Sequence, residues 1–350
     1  MEGDVALPER IAAAFAFQVE NCERLGSPFT ARLCRLLPGA LKSRLRAAVA
    51  GWAGDAAADA LALRLTGGLH ALAREGSCPA LTAAYPPGQA DLAAGLAAAM
   101  EAHQDFLLPW LGSAPQTNEV GRSAVVLGLA LTVANRTARP LELLEIGASA
   151  GLNLGFDRYA YALGPAGNRG GPSPVRIACD WRGTPPAGAV PEIVARAGCD
   201  IAPIDPGDSA QRERLLAYIW PDQTERLARA EAALALTAKA PWRVERAEAA
   251  EWVEARLARP RIAGAVRLLF HTIMWQYLPE ASKTRIRAAL DRAGAEAGPD
   301  RPLAWARMEA DRRSDSAVVL LTLWPGGITE TLGRADFHGR WAEWEGRAAP

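Results

Sequence analysis

The segment from Leu141 to Leu154, Leu-Glu-Leu-Leu-Glu-Ile-Gly-Ala-Ser-Ala-Gly-Leu-Asn-Leu, constrains the fold more than any other part of the chain. A short apolar run enters a turn of small residues, and the pattern beyond the turn predicts a helix. Small side chains let a ligand approach the backbone there. A helix start adds free N–H groups and the positive end of a dipole. A strand that turns straight into a helix fits a parallel sheet, because parallel neighbours need a crossover connection. In such sheets ligands collect at the turn where the strand order reverses.

The rest of the chain follows the same plan. Short apolar runs at 141–146, 175–179, 193–201, 244–246, 266–270, 303–308 and 318–323 predict strands. Residues 209–218, 221–239, 249–258 and 279–293 predict helices between them. The Gly- and Pro-rich stretch 164–174 predicts a loop and opens an insertion that runs to 197. Upstream, apolar residues recur at helical spacing in several stripes. Among them are Ile11, Phe15, Val19 and Cys22, then Leu61, Leu65, Leu69 and Leu72, then Leu92, Leu96, Met100, His103 and Leu107. A boundary falls between Pro109 and Gln116, after which Thr117 or Asn118 can cap a helix over 120–134. The expectation is an α/β protein: an all-helical N-terminal cap over 1–115, then a doubly wound, mostly parallel Rossmann-like sheet over 116–350.

Charge and cysteine usage narrow the partners. Lys plus Arg and Asp plus Glu both number 39, so no net field favours nucleic acid or an anionic membrane. No stretch approaches the ~18 apolar residues of a membrane span, and no leader-like apolar run follows the first ten residues. Cys22, Cys34, Cys78, Cys179 and Cys199 are scattered, without metal-ligand spacing. The pattern predicts no metal site, a reducing compartment and a cytoplasmic protein acting on a small molecule.

The turn itself bears several resemblances. Glu145-Ile-Gly147-Ala-Ser149-Ala-Gly151 resembles the first motif of class I S-adenosylmethionine-dependent methyltransferases, with Ser149 where that superfamily usually has a glycine. The resemblance implies a methyltransferase-type sheet and S-adenosylmethionine as cofactor. Glu145 would hold the methionine amino end, and Gly147, Ser149 and Gly151 would complete the cradle. Gly147-Ala-Ser149-Ala-Gly151 also matches the nucleophile elbow of α/β hydrolases, with Glu309 and His338 following in the hydrolase order. That reading wants earlier strands and an oxyanion loop, where the upstream pattern is helical. A third resemblance, to short-chain dehydrogenases, lacks a glycine at Asn153 and a later Tyr-x-x-x-Lys. A turn that binds nothing is the remaining alternative.

Later segments add candidates. Gly198-Cys-Asp200-Ile-Ala-Pro203 resembles the methyltransferase motif that ends the second strand, which implies Asp200 as ribose acceptor, with Asp180 and Asp205 as alternatives. Glu248, after the third strand, would lie near the adenine. The fourth strand ends at His271, a base suited to proton transfer near neutral pH, with Glu309 closing the next strand as its partner. Trp275 and Tyr277 would wall the sulfonium. The segments 116–122, 144–154, 198–203, 220–222, 271–277 and 323–327 together resemble an uncharacterised bacterial family with a methyltransferase-like fold. This resemblance adds Asn118 and Arg122 as substrate-side residues. The function implied is methyl transfer to an oxygen or nitrogen of a small molecule. A serine hydrolase and a catalytically degenerate methyltransferase-fold binding protein are the alternatives.

Overall fold

The computed structural model describes residues 6–313 and 315–345. Helices come first: α1 (Glu9–Arg24), α2 (Pro28–Ala40), α3 (Ser43–Ala50), α4 (Leu61–Glu75), α5 (Pro79–Ala84), α6 (Leu92–Ala102), α7 (Gln104–Leu111) and α8 (Ser123–Thr137). Strand β1 (Leu141–Ile146) is followed by the short strands β2 (Ala160–Ala162), β3 (Asn168–Arg169), β4 (Arg176–Ala178) and β5 (Asp180–Gly183). Then come β6 (Ile193–Asp200), α9 (Ser209–Ala217), α10 (Thr224–Ala238), β7 (Val244–Arg246) and α11 (Ala249–Leu257). The chain closes with β8 (Val266–Thr272), α12 (Glu280–Ala295), β9 (Leu303–Ala310), β10 (Ala317–Trp324), β11 (Ile328–Ala335) and β12 (Trp341–Trp344).

The chain divides into two units, and the division departs from the expected cut at 115. The described residues up to Thr117 form the first together with Asp208–Ala228, so α9 belongs to the helical unit. The reason lies in α4, where Gly67 and Gly68 present bare backbone. A Cβ on either would strike Tyr218 or Trp110, at 2.6 and 2.8 Å. Tyr218 and Trp110 meet edge to face, and the His70 ring holds the Ala217 carbonyl at 3.1 Å. Asp222 accepts the N–H of Phe29 at the start of α2. The apolar stripes read from the sequence form this unit's core: Ile11, Phe15, Leu61, Leu65, Leu69, Leu72, Leu92, Leu96, Met100 and Leu107 are all buried.

The second unit is mixed α/β, built on a nine-stranded sheet in the order β5-β12-β11-β10-β9-β8-β1-β6-β7. Strands β7, β6, β1, β8 and β9 run parallel, β9 to β12 form an antiparallel meander, and β5 joins β12 in parallel. From β1 the order runs outward through β6 to β7 and then reverses through β8 to β9, so the switch point lies between β1 and β8. Leu144, Ile146, Leu269, Leu303 and Trp305 pack under α11 and α12 on one face. On the other face α8 is buried almost throughout, which explains why its sequence is apolar all round and shows no stripe.

The runs predicted at 141–146, 193–201, 244–246, 266–270, 303–308 and 318–323 are strands of this sheet. The run at 175–179 is a strand of a separate three-stranded sheet, β3-β2-β4. Strands β11 and β12 carry no comparable signal: the first half of β11 is exposed, so Thr and Glu replace apolar residues. Beyond the turn the expected helix shrinks to a 3₁₀ stretch, Asn153–Arg158. Among the described residues no helix is long and apolar enough to cross a membrane.

Burial holds the His70 imidazole neutral, with its pKa lowered from 6.5 to about 4. The unfolded chain therefore takes up this proton first as pH falls, and stability drops from pH 6.5 towards pH 4. We expect this group to contribute about 3 kcal/mol to that loss. Unfolding curves of His70→Asn against pH should flatten by that amount; an unchanged slope would refute the assignment.

Candidate functional site

The turn after β1 is closed by side chains from distant parts of the chain. Gly147, Ser149 and Gly151 all take positive φ, of +66°, +51° and +73°. Asp200, the last residue of β6, accepts the Ser149 N–H at 2.9 Å and the Ala202 N–H at 2.9 Å. Asn118, itself at φ +34°, accepts the N–H groups of Ala150 and Leu152 at 3.2 and 3.1 Å through one oxygen. The Gly151 N–H bonds the Ala148 carbonyl, and the Ala148 N–H bonds the Cys199 carbonyl. The expected free N–H groups are thus absent: the turn has satisfied its own backbone. The room at Gly147 is taken as well, because a Cβ there would lie 2.9 Å from the Met274 side chain. This glycine clears space for a residue of the protein.

Above this turn stands a buried acid. Glu145 is 2% exposed, and its Oε2 has no hydrogen-bond partner among the described residues. Burial pushes its carboxyl pKa well above the usual range. The nearby Asp200 charge pushes the same way, and the Arg122 guanidinium opposes both. Strand alternation explains the grouping. Leu144 and Ile146 face α11 and α12, so Glu145 points to the opposite face, and its register partner Gly198 puts Asp200 on that face too. Arg122 is anchored by the carbonyls of Phe337 at 2.8 Å and Thr272 at 3.4 Å. The structure therefore brings Glu145, Ser149, Asp200, Asn118 and Arg122 together at the carboxyl end of β1.

The expected catalytic pair lies elsewhere. His271 shares a strand face with Leu269, under the helices, and is 0% exposed. Its Nδ1 donates to Glu309 Oε1 at 2.6 Å, and its Nε2 accepts the Trp305 indole N–H at 3.1 Å. Both ring nitrogens are engaged, so the expectation of a substrate base at His271 is corrected. Glu309 is engaged too: its oxygens accept the backbone N–H groups of Met274 and Trp275, each at 3.2 Å. The pair latches the loop after β8, where Ile273 is held at φ +49°.

Other expectations also change. Trp275 stacks on His271 at 5.1 Å and lies under Arg287, so it offers no wall to a sulfonium on the Glu145 side. Tyr277 is 73% exposed. Glu248 is the N-cap of α11, accepting the N–H groups of Ala250 and Glu251, a structural use of its charge. Asp180 pairs with Arg182 on β5, at the far edge of the sheet. Asp205 accepts the Gly207 N–H within its own loop. His338 follows β11, with its backbone N–H held by Asp336.

Residues that sequence reasoning passed over complete the surroundings. Glu119 is buried, accepts the Gly121 N–H and faces Arg229 at 3.5 Å. It lies inside the 116–122 segment already singled out, so the signal was present. Trp242 packs against Gly151 between the guanidiniums of Arg158 and Arg196, which nothing local announces. Among the described residues no group of His, Cys, Asp or Glu side chains gathers as a metal site.

A family profile described as "Uncharacterized protein conserved in bacteria (DUF2332)" matches residues 12–344. No curated protein and no solved structure matches the chain.

If Asn118 is what closes the turn, Asn118→Ala leaves two buried N–H groups without an acceptor. The expected cost is about 3 kcal/mol in chemical unfolding. Asn118→Asp keeps both the acceptor and the tolerance for positive φ, and should recover most of it. Equal losses in the two variants would show that the oxygen is not the stabilising feature.

Proposed function

The chain belongs to this bacterial family, and for it we propose S-adenosylmethionine-dependent methyl transfer to an oxygen or nitrogen of a small molecule, with the cofactor held at the carboxyl end of β1. The observation that carries the reading is Glu145: a buried carboxyl group with one unbonded oxygen, at the switch point of a parallel sheet. An unpaired buried acid is costly, and a ligand ammonium placed against it removes the cost. The closed N–H groups of the turn agree, since this cofactor has no phosphate that would need them. They speak against a dinucleotide, whose pyrophosphate wants free N–H groups. They also speak against a nucleophile elbow, whose oxyanion hole would use the Ala150 N–H that Asn118 already holds. The parallel order β7-β6-β1-β8-β9 supports a Rossmann-like core of methyltransferase type.

In this reading Glu145 holds the amino end of the methionine moiety. Arg122, which already acts on the Glu145 charge, meets its carboxylate. Asp200 keeps its oxygens on the Ser149 and Ala202 N–H groups and offers its remaining lone pairs to the ribose. When bound, the cofactor supplies an electrophilic methyl group on a sulfonium. With His271 and Glu309 enclosed, the reading favours acceptors that need no deprotonation, such as a carboxylate oxygen or a free amine. The free, buried cysteines suit a cytoplasmic location. The enclosure of that pair also favours a second reading, a methyltransferase-fold protein that binds the cofactor without chemistry. Cofactor binding with no methylated product across acids and amines would select it.

Calorimetric titration with S-adenosylmethionine and S-adenosylhomocysteine tests the site. Micromolar binding is expected for the parent and not for Glu145→Gln. Because Glu145 is held above its ordinary value of 4.5, binding an ammonium should release a proton, so the heat should vary with the buffer's ionisation enthalpy. The same shift predicts that the unliganded protein loses stability as pH rises above that value, since only the unfolded chain ionises freely there. Glu145→Gln should therefore be more stable than the parent at pH 8 and equal to it near pH 4. Absence of heat with either ligand, in protein that shows this stability pattern, would overturn the cofactor reading.

A further inference from the structure

On the face of the sheet opposite Glu145, two arginines meet aromatic rings and form no ion pair among the described residues. Arg307 of β9 lies over Trp305, its guanidinium carbon 3.8 Å from the ring centroid. One of its nitrogens donates to the Thr322 hydroxyl at 2.8 Å and reaches Thr329 at 3.5 Å. The two threonine hydroxyls share a further hydrogen bond of 2.7 Å. Register explains the gathering: Thr322 pairs with Trp305 across β9 and β10, and with Thr329 across β10 and β11. These side chains therefore stand in one row on one face.

The charge balance of this row is incomplete. Arg307 Nε is buried and bonds nothing among the described residues. Burial, with the neighbouring Arg287 guanidinium adding to it, lowers the pKa of the group to about 10. Arg287 reaches over from α12, its guanidinium carbon 5.3 Å from the Trp275 ring centroid. The acid that acts on Arg307 is Glu309, but its oxygens are engaged by His271 and the backbone of Met274 and Trp275. A sunken cation is normally paired, and the stacking on Trp305 compensates only part of its lost hydration. Arg287 and Thr329 are exposed, so the row opens to solvent.

We propose that Arg307, Arg287, Thr322 and Thr329 form a binding site for an oxyanion, a phosphate or carboxylate group carried by a small molecule. The planar guanidinium of Arg307 offers parallel donors to such a group, and Arg287 closes over it from the helix. The hydroxyl pair supplies a further donor, because each threonine can turn its O–H towards the anion. Trp305 forms a flat wall beside it. This site uses none of the residues assigned to the cofactor and holds or fails independently of that reading.

Thermal unfolding at fixed ionic strength, with inorganic phosphate, acetate or chloride as the varied anion, tests the proposal. The expected result is a saturable rise in Tm for the parent with phosphate or acetate relative to chloride. A response to phosphate alone points to a phosphorylated ligand, and a response to acetate extends or transfers the site to carboxylates. Arg307→Gln should abolish the rise while the protein stays folded. Arg287→Gln changes an exposed residue and should weaken the response about tenfold, the size of one lost charge-assisted hydrogen bond. It carries the test if Arg307→Gln does not fold. No rise beyond chloride in the parent, or an undiminished rise in the folded variants, would overturn the assignment.

Discussion

The second unit depends on how one turn satisfies its backbone. From Ala148 to Leu152, every N–H after β1 finds an acceptor, and those acceptors come from Asp200, Asn118 and carbonyls of the turn and of β6. Buried peptide groups must be paired, so the turn can exist only when β6 and the segment before α8 are in place. The same bonds hold Asp200 near Glu145, and the carbonyls of Phe337 and Thr272 hold Arg122, which gathers charge at the switch point. Folding of the turn and assembly of the candidate site are therefore one event. The arrangement leaves a carboxyl oxygen of Glu145 without a partner among the described residues. An acid kept in that condition costs stability, and costs of this kind concentrate where proteins bind ligands.

The sheet separates two kinds of polar chemistry. One face at the carboxyl ends carries Glu145, Asp200 and Arg122, close to a turn of small residues. The other carries His271, Glu309, Trp305 and Trp275, locked into hydrogen bonds and ring stacks beneath α11 and α12. His271 and Glu309 illustrate a general hazard: residues suited to proton transfer are equally suited to fixing a loop. Here they hold the backbone that follows β8. The cations Arg307 and Arg287 lie at the outer side of that locked cluster, where the hydrogen-bonding capacity is incomplete.

Much of the architecture was legible in the chain. The central strands are short, mostly apolar runs because helices cover both faces, and the N-terminal helices show clear stripes because each buries one side. The turn at Glu145 was legible because glycines and small residues have few other uses between a strand and a helical pattern. Strands β11 and β12 were not, since the exposed first half of β11 needs no apolar alternation and β12 is only four residues long. The membership of 208–228 in the helical unit was hidden as well. It rests on bare backbone at Gly67 and Gly68 meeting Tyr218 and Trp110, residues far apart in the sequence.

The sequence by itself determined the periodicities, and with them the central strands, the N-terminal helices and the place where small residues would stand at a strand end. It also nominated Glu145 and Asp200 through their resemblance to methyltransferase motifs, and Asn118 and Arg122 through the resemblance to an uncharacterised bacterial family. Only the tertiary structure decided which polar groups are engaged and which remain open. Pattern is local, recurring every two or 3.6 residues, whereas a hydrogen bond is settled by whatever the fold brings within 3 Å or so. Parity along β1 and β8 put Glu145 and His271 on opposite faces, and Trp305 and Glu309, on the neighbouring strand, closed both nitrogens of the His271 ring.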